Sequence, residues 1–382
     1  MGQVVMMLDF GTSKVSCMIA TTSGHGCQAL GAASESYDGF LGGKWVNAEH
    51  VIDAVYQAVR AAQNSAKRRP REVYIVVPGD YIRVICGKAA NQDEKEHILG
   101  DDMQRLIDST QGIYRPDRYK VIHRSSTYYT WDARRLQGAD AVRRMDGLVG
   151  YVLADTLFLR EVQTICDDLG LVVRGYVASS LGQALTYIPY DERSRMVALC
   201  DVGYLSTQVA VFQAETMIYH ETLPVGGFHI ASDITYGIDC HLDVAETIKR
   251  RYVFGMSFDN PEMRLVTEND GMDRVDGAKV QQIIESRCEE ISEMIQYSLN
   301  HCGYRLGERM PLYISGGGLV MMRGVQQFLA QSIERPIKVI TPGTATFNTP
   351  NHAGLVGAVE YVLDYAKENR RGRGWQRLFG RE

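Results

Sequence analysis

The order of apolar and polar positions divides the chain into strand-like and helix-like stretches. Val4–Leu8 and Val15–Ala20 are apolar runs separated by Asp9-Phe10-Gly11-Thr12-Ser13-Lys14. Two short apolar runs around a polar, glycine-containing segment predict a β-hairpin. From Ala48 to Ala66 the residues Val51, Ala54, Val55, Ala58, Val59 and Ala62 recur at helical spacing, with a polar opposite face. Val73–Val77 reads as a short buried strand. A mixed region follows from about Tyr81 to Arg160, with strand-like pieces at Tyr119–Arg124 and Gly147–Ala154.

The opening pattern then recurs. Met196–Leu199 is apolar, Asp201-Val202-Gly203 forms a turn, and Gln208–Phe212 is apolar again. Two strand–DxG–strand units, far apart, predict a duplicated α/β architecture with one hairpin in each of two lobes. Leu312–Ser315 is a strand that runs into Gly316-Gly317-Gly318 and then a helix from about Met321 to Ser332. Helical patterns also cover Asp243–Tyr252 and the longer, acidic-faced Lys279–Leu299.

Composition adds limits. At 382 residues the chain exceeds one ordinary core. With 45% hydrophobic and 23% charged residues it has the balance of a soluble globular protein. The net charge of -5 argues against a general nucleic-acid binder. No apolar run approaches the ~20 residues of a membrane-spanning helix. With a strand-like run beginning at Val4, no secretory signal is expected. The eight cysteines are scattered, without CxxC or metal-ligand spacing, and read as small apolar residues in a reducing cytoplasm. Charge is unevenly placed, however: Arg370 to Arg381 contains five arginines and no acid.

Three segments have the chemistry of a nucleotide cradle. In the first, Gly11 admits close backbone approach, Thr12 and Ser13 donate hydrogen bonds, and Lys14 neutralises phosphate charge. Asp9 suits a magnesium ion held through water, because Mg²⁺ keeps most of its hydration shell. The second is Asp201-Val202-Gly203 with Ser206 and Thr207. The third is Gly316–Gly318, where a flat base and ribose can lie against main chain and a helix N-terminus faces anionic groups. Singly each is also an ordinary turn.

DxGT near residue 10, DxG near 200 and GGG near 316 together resemble the actin, sugar kinase and heat-shock chaperone ATPase superfamily. Within it the chain resembles the bacterial cell-division family FtsA. Pro224-Val225-Gly226-Gly227 with Ser232–Thr235 looks like that family's glycine pair and following helix. Ala245-Glu246-Thr247-Ile248-Lys249 looks like its nucleoside-contacting helix, which brings Glu246 and Lys249 to the site. Gly43–Asn47 and His352–Gly357 match the entry to the first helix and the late helix joining the lobes.

The resemblance implies a two-lobed actin-like (ribonuclease H-like, duplicated) α/β fold with an FtsA-type inserted subdomain and a C-terminal amphipathic helix. The first lobe is expected over 1–80, with 161–195 and 350–368 returning to it, and the insert over 81–160. The second lobe is expected to have an inner subdomain at 196–238 and 303–349 and an outer one at 239–302, with a basic tail at 369–382. Implied ligands are ATP and Mg²⁺, the ion held through water by Asp9 and Asp201. Implied partners are the C-terminal peptide of FtsZ, other copies of the chain in filaments, further division proteins at the insert, and the anionic inner membrane.

One departure touches catalysis. The family usually follows its second DxG with two small residues, and an acidic residue soon after. Here Tyr204 and Leu205 replace the small pair and Gln208 stands at the acidic position. Both bulky side chains resist positive φ and crowd the place of a terminal phosphate, so binding is expected and hydrolysis is expected to be weak or absent.

In the tail, Trp375, Leu378 and Phe379 share one helical face, flanked by Arg377 and Arg381 and preceded by Arg370, Arg371 and Arg373. This pattern reads as a peripheral anchor on the cytoplasmic side of the inner membrane, at the division site in the family. Two other functions fit the fold: a PilM-like pilus-assembly actin homologue, against which the tail argues, and a small-molecule kinase, for which no candidate base is found.

Overall fold

The computed structural model describes residues 3–23, 26–95, 108, 112, 114–133, 142–256, 262–266, 272–307 and 309–370. The first hairpin pairs β1 (Val4–Phe10) with β2 (Lys14–Ser23), Phe10 opposite Val15. Asp9 and Lys14 therefore stand on strands, and the turn is only Gly11-Thr12-Ser13. Adding β3 (Gly26–Ser36), β6 (Glu72–Val77) and β10 (Val172–Ala178) gives a sheet of order β10-β6-β1-β2-β3. A small hairpin of β4 (Phe40–Leu41) and β5 (Lys44–Trp45) precedes helix α1 (Ala48–Ala66).

Alternation along β1 explains why this sheet is covered on both faces. Met6, Leu8 and Phe10 share a core with Val51, Val55 and Val59 of α1. Val5 and Met7 share another with Leu355, Val356, Val359 and Val362 of the last helix, α9 (Ala353–Arg370). All six apolar positions predicted for α1 are buried.

The second lobe repeats the plan. β11 (Val197–Val202), β12 (Thr207–Gln213), β13 (Thr216–Leu223), β16 (Leu312–Ser315) and β17 (Ile337–Val339) form a sheet of order β13-β12-β11-β16-β17. Both sheets are thus an antiparallel three-strand meander extended by two parallel strands. Between β13 and β16 lie α5 (Gly227–Ile238), α6 (Leu242–Arg251), the hairpin β14 (Glu262–Val266) and β15 (Met272–Asp276), and α7 (Gly277–His301). The helix expected from Met321 begins later, as α8 (Val325–Ser332). Gly324 precedes it at φ +78°, a left-handed backbone that ends the turn from Leu319 and cannot continue a helix.

A third sheet, of order β7-β9-β8, consists of β7 (Ile82–Lys95), β8 (Tyr119–Ala133) and β9 (Val142–Asp155). It rests on edge strand β13: a Cβ at Gly150 would stand 2.9 Å from the Met217 carbonyl oxygen. Asp155 then caps α2 (Thr156–Asp168), accepting a hydrogen bond from the Leu157 amide at 2.9 Å.

The lobes are joined by α3 (Ser179–Tyr187), the short α4 (Tyr190–Arg193) and α9. Helices α3 and α9 cross in backbone contact. A Cβ at Gly182 would lie 2.9 Å from Ala358 Cα, and one at Gly357 would lie 3.1 Å from Gln183 Cα. Gly182→Val is accordingly expected to cost roughly 3 kcal/mol through overpacking. A lowered urea midpoint checks this; an unchanged one contradicts it.

Candidate nucleotide site

The C-terminal ends of β1, β11 and β16 carry the three glycine turns, so the duplicated sheet order brings them together at one cleft. Main-chain contacts tie the second-lobe turns. The Gly318 amide donates to the Val202 carbonyl at 2.8 Å, and the Gly227 amide to the Gly203 carbonyl at 2.9 Å. The Phe228 amide donates to Tyr204 O at 2.8 Å. No side chain fits between these turns. A Cβ at Gly226 would stand 2.6 Å from both Gly203 O and Tyr204 O, and one at Gly318 would strike Gly203 O and lie 2.9 Å from Gly227 N. The glycines serve mutual packing of the turns as much as approach by a ligand.

This revises the expected donors. The amides of Gly11, Gly203, Gly226, Gly227, Gly316 and Gly318 are all engaged, with Lys14 O, Ser206 O, His229 Nδ1, Gly203 O, Pro350 O and Val202 O respectively. Thr207 is buried, and its hydroxyl donates to Val225 O at 2.7 Å, so it holds the glycine pair rather than a phosphate. Ser206 Oγ donates to Asp80 Oδ2 at 3.3 Å, from the second lobe to the first. Gly317 has no close backbone neighbour, only Asn351 Cβ at 3.1 Å from its Cβ position. The helix N-terminus expected after the triplet is not there; α5, starting at Gly227, is the helix that opens beside the turns.

What remains suits a polyphosphate. Lys14 lies near enough to Asp9 to lower its pKa and forms no ion pair among the described residues. Asp9 and Asp201 lie near the ends of β1 and β11, on strands of opposite lobes, and the Asp201 charge is felt at Asp9. Burial, opposed by Lys14 and reinforced by Asp201, pushes Asp9 up to about 6. Burial also raises Asp201, against hydrogen bonds from Gln183 and Ser179. Two carboxylates whose charges repel in a buried setting would be stabilised by a cation. Among the described residues no group of three or more His, Cys, Asp or Glu gathers.

Glu246 and Lys249 pair with each other at 2.7 Å. Lys249 is buried, and its ammonium also donates to Gly227 O at 2.9 Å, which fixes the start of α5. Burial lowers the Lys249 pKa, while Glu246 holds it up. Lys249 therefore braces the glycine pair through its bonds to Gly227 and Glu246.

Tyr204 and Leu205 are not strained: neither has positive φ. Tyr204 packs on Phe228 with ring centroids 5.4 Å apart. Leu205 packs against the first-lobe core, and its amide donates to Thr12 Oγ1 at 3.1 Å. The first glycine turns of the two lobes are thus bonded directly to each other, and the strain expected at Tyr204 and Leu205 is absent.

Sequence reasoning missed Gln183, Ser179, Ser315 and Asn351. Asn351 Oδ1 is buried with no hydrogen-bond partner and lies beside the glycine triplet, an acceptor that suits a ribose hydroxyl or base amine. These residues carry no glycine signature and come from α3, the end of β16 and the turn before α9. Of the tail residues, Arg370 is the last residue of α9. Arg371, Arg373, Trp375, Arg377, Leu378, Phe379 and Arg381 lie outside the described residues.

Two lobes of identical strand order, crossed by α3 and α9 beneath paired glycine turns, define the actin-like α/β fold. Solved structures agree: a PilM–PilN type IV pilus biogenesis complex superposes with TM-score 0.63 at 15% identity, covering 94% of this chain and 98% of that one. MreB5 of Spiroplasma citri bound to ADP gives TM-score 0.56 at 11% identity, covering 97% and 98%. The resemblance to FtsA read from the motifs is borne out. The family model for cell division protein FtsA matches residues 198–357. The chain is 22% identical over 377 residues to the FtsA of Pseudomonas aeruginosa, covering 95% of this chain and 90% of that protein. It is 24% identical over 348 residues to that of Neisseria meningitidis, covering 88% and 84%.

Proposed function

We propose that the chain is an ATP-binding, actin-like cell-division protein that assembles on the inner face of the cytoplasmic membrane and tethers the FtsZ ring. The observation that carries the nucleotide part is the convergence of three glycine turns near Asp9 and Asp201, whose charges interact, and Lys14, which forms no ion pair among the described residues. Lys14, Thr12 and Ser13 bind the phosphates. Asp9 and Asp201 orient the water shell of a magnesium ion, and that ion offsets phosphate charge when bound. Asn351 and Glu246 face the nucleoside.

Hydrolysis is weak in this reading, because the Leu205–Thr12 bond closes the gap between the turns. The similarity to FtsA supports the division role, with the FtsZ peptide taken by the outer part of the second lobe at about 239–302. The third sheet offers a surface for further copies or division proteins.

No helix among the described residues is long and apolar enough to cross a membrane, so attachment falls to the basic tail. Three half-buried large apolar side chains contribute ~3–5 kcal/mol. Each arginine near anionic lipid adds about 1 kcal/mol. Ordering a glycine-containing peptide opposes much of this, so one tail holds weakly and a row of tails on a filament holds firmly. The intact protein is expected to float with vesicles containing phosphatidylglycerol, and a chain ending at Glu368 to stay behind. Equal flotation would remove the anchor from the proposal.

A further inference from the structure

Gln183 is a fully buried amide that bridges the lobes at the cleft floor. It stands on α3, on the first-lobe side of the hinge. Its Nε2 donates to Asp201 Oδ2 at 2.7 Å and to Ser179 Oγ at 3.1 Å. Its Oε1 accepts from Ser315 Oγ at 2.5 Å. Asp201 and Ser315 are register partners on the adjacent strands β11 and β16. One side chain from the first lobe thereby grips the ends of two central strands of the second.

The amide's orientation is fixed by chemistry. Its nitrogen must face the carboxylate, since a flipped amide would set oxygen against oxygen and leave the Ser315 hydroxyl facing NH₂. A buried amide is costly unless fully bonded, and a hydrophobic residue of the same volume would fill this space more cheaply. The polarity of Gln183 is thus spent on holding Asp201. Without a donor at Oδ2, the Asp201 carboxylate has only Ser179 to oppose its repulsion by Asp9, which lies close enough to feel its charge. Oδ1 packs beside Gly316, 2.5 Å from where a Cβ there would stand, so Asp201 lies against the glycine triplet.

We infer that Gln183 is a positioning residue for the metal–nucleotide site, holding the second-lobe carboxylate Asp201 in place from the first-lobe helix. This inference rests on the nucleotide reading above. It gives each lobe a share in one carboxylate, so lobe arrangement and metal binding are coupled through a single amide.

The test is a double-mutant cycle on the full chain: wild type, Gln183→Met, Asp201→Asn, and both together, titrated with ATP in Mg²⁺ and in EDTA. Gln183→Met keeps the volume and removes the donor. Loss of a charge-assisted bond is expected to weaken Mg²⁺–ATP binding about tenfold, with the EDTA affinity held within about twofold. In the Asp201→Asn background, Gln183→Met is expected to cause no further loss. A packing role alone gives additive losses, or equal losses with and without metal, and either result overturns the inference. A wild-type chain that binds no nucleotide in either condition overturns the nucleotide reading and the inference with it, a pattern distinct from the first two. Should the methionine variant fail to fold by circular dichroism, Gln183→Glu keeps the size and puts an acceptor in place of the donor. It is expected to show the same metal-selective loss, and a metal-independent one overturns the inference.

Discussion

Gly318→Ala is expected to lower ATP affinity by about two orders of magnitude and to destabilise the second lobe, although it adds only one methyl group. That methyl would strike the Gly203 carbonyl oxygen and lie 2.9 Å from the Gly227 nitrogen, so backbone must move. The movement breaks the Gly318–Val202 and Gly227–Gly203 hydrogen bonds, and with them the register of all three second-lobe turns. Overpacking and two lost backbone bonds together cost roughly 3 kcal/mol or more. Gly317→Ala is the matched control, since its Cβ meets only the Asn351 side chain at 3.1 Å, which can yield. Equilibrium unfolding and ATP titration of the two variants check the contrast. Equal behaviour would show that the glycines are not packed as described.

Asp9→Asn is expected to separate stability from function. Burial, with Asp201 nearby, raises the Asp9 pKa from 3.8 to about 6 despite Lys14. The folded state therefore holds this proton more tightly than the unfolded chain does. Asp9's contribution to stability is fully present below about pH 4 and is lost as pH rises through about 6. Two units correspond to ~3 kcal/mol of penalty at pH 7 to 8. Asparagine carries no such penalty, so the variant should be more stable than wild type near pH 7.5 by up to that amount, with the difference gone at pH 4. It should also lose Mg²⁺-dependent ATP binding by about two orders of magnitude. Chemical denaturation at the two pH values measures the first effect. A variant less stable than wild type at pH 7.5 would contradict the electrostatic account.

Local pattern carried much of this. The α1 stripe from Val51 to Ala62 and both DxG hairpins were legible because apolar periodicity and glycine turns are short-range signals. The start of α8 was not, because Gly324 ends a turn whose conformation depends on packing against Phe254, distant in sequence. The third sheet was only partly legible, because its packing is set by partners distant in sequence: Gly150 lies against Thr216 and Met217 of β13, and Tyr151 packs near Tyr114. In the site, carboxylates and glycines announced themselves, while Gln183 and Ser315 did not. A buried amide between two lobes has no sequence signature; it becomes meaningful only when Asp201 lies opposite. Thr207 and Lys249 show the converse, since residue types suited to phosphate are used here to brace the glycine pair.

The most direct test of the cleft is calorimetric titration of the intact wild-type protein with ATP in the presence of Mg²⁺, repeated with Gly318→Ala and Asp9→Asn. The proposed site predicts saturable one-to-one binding that weakens about a hundredfold in each variant. Absence of binding by the wild type, or affinities unchanged by both substitutions, would contradict the assignment of this cleft as a nucleotide site.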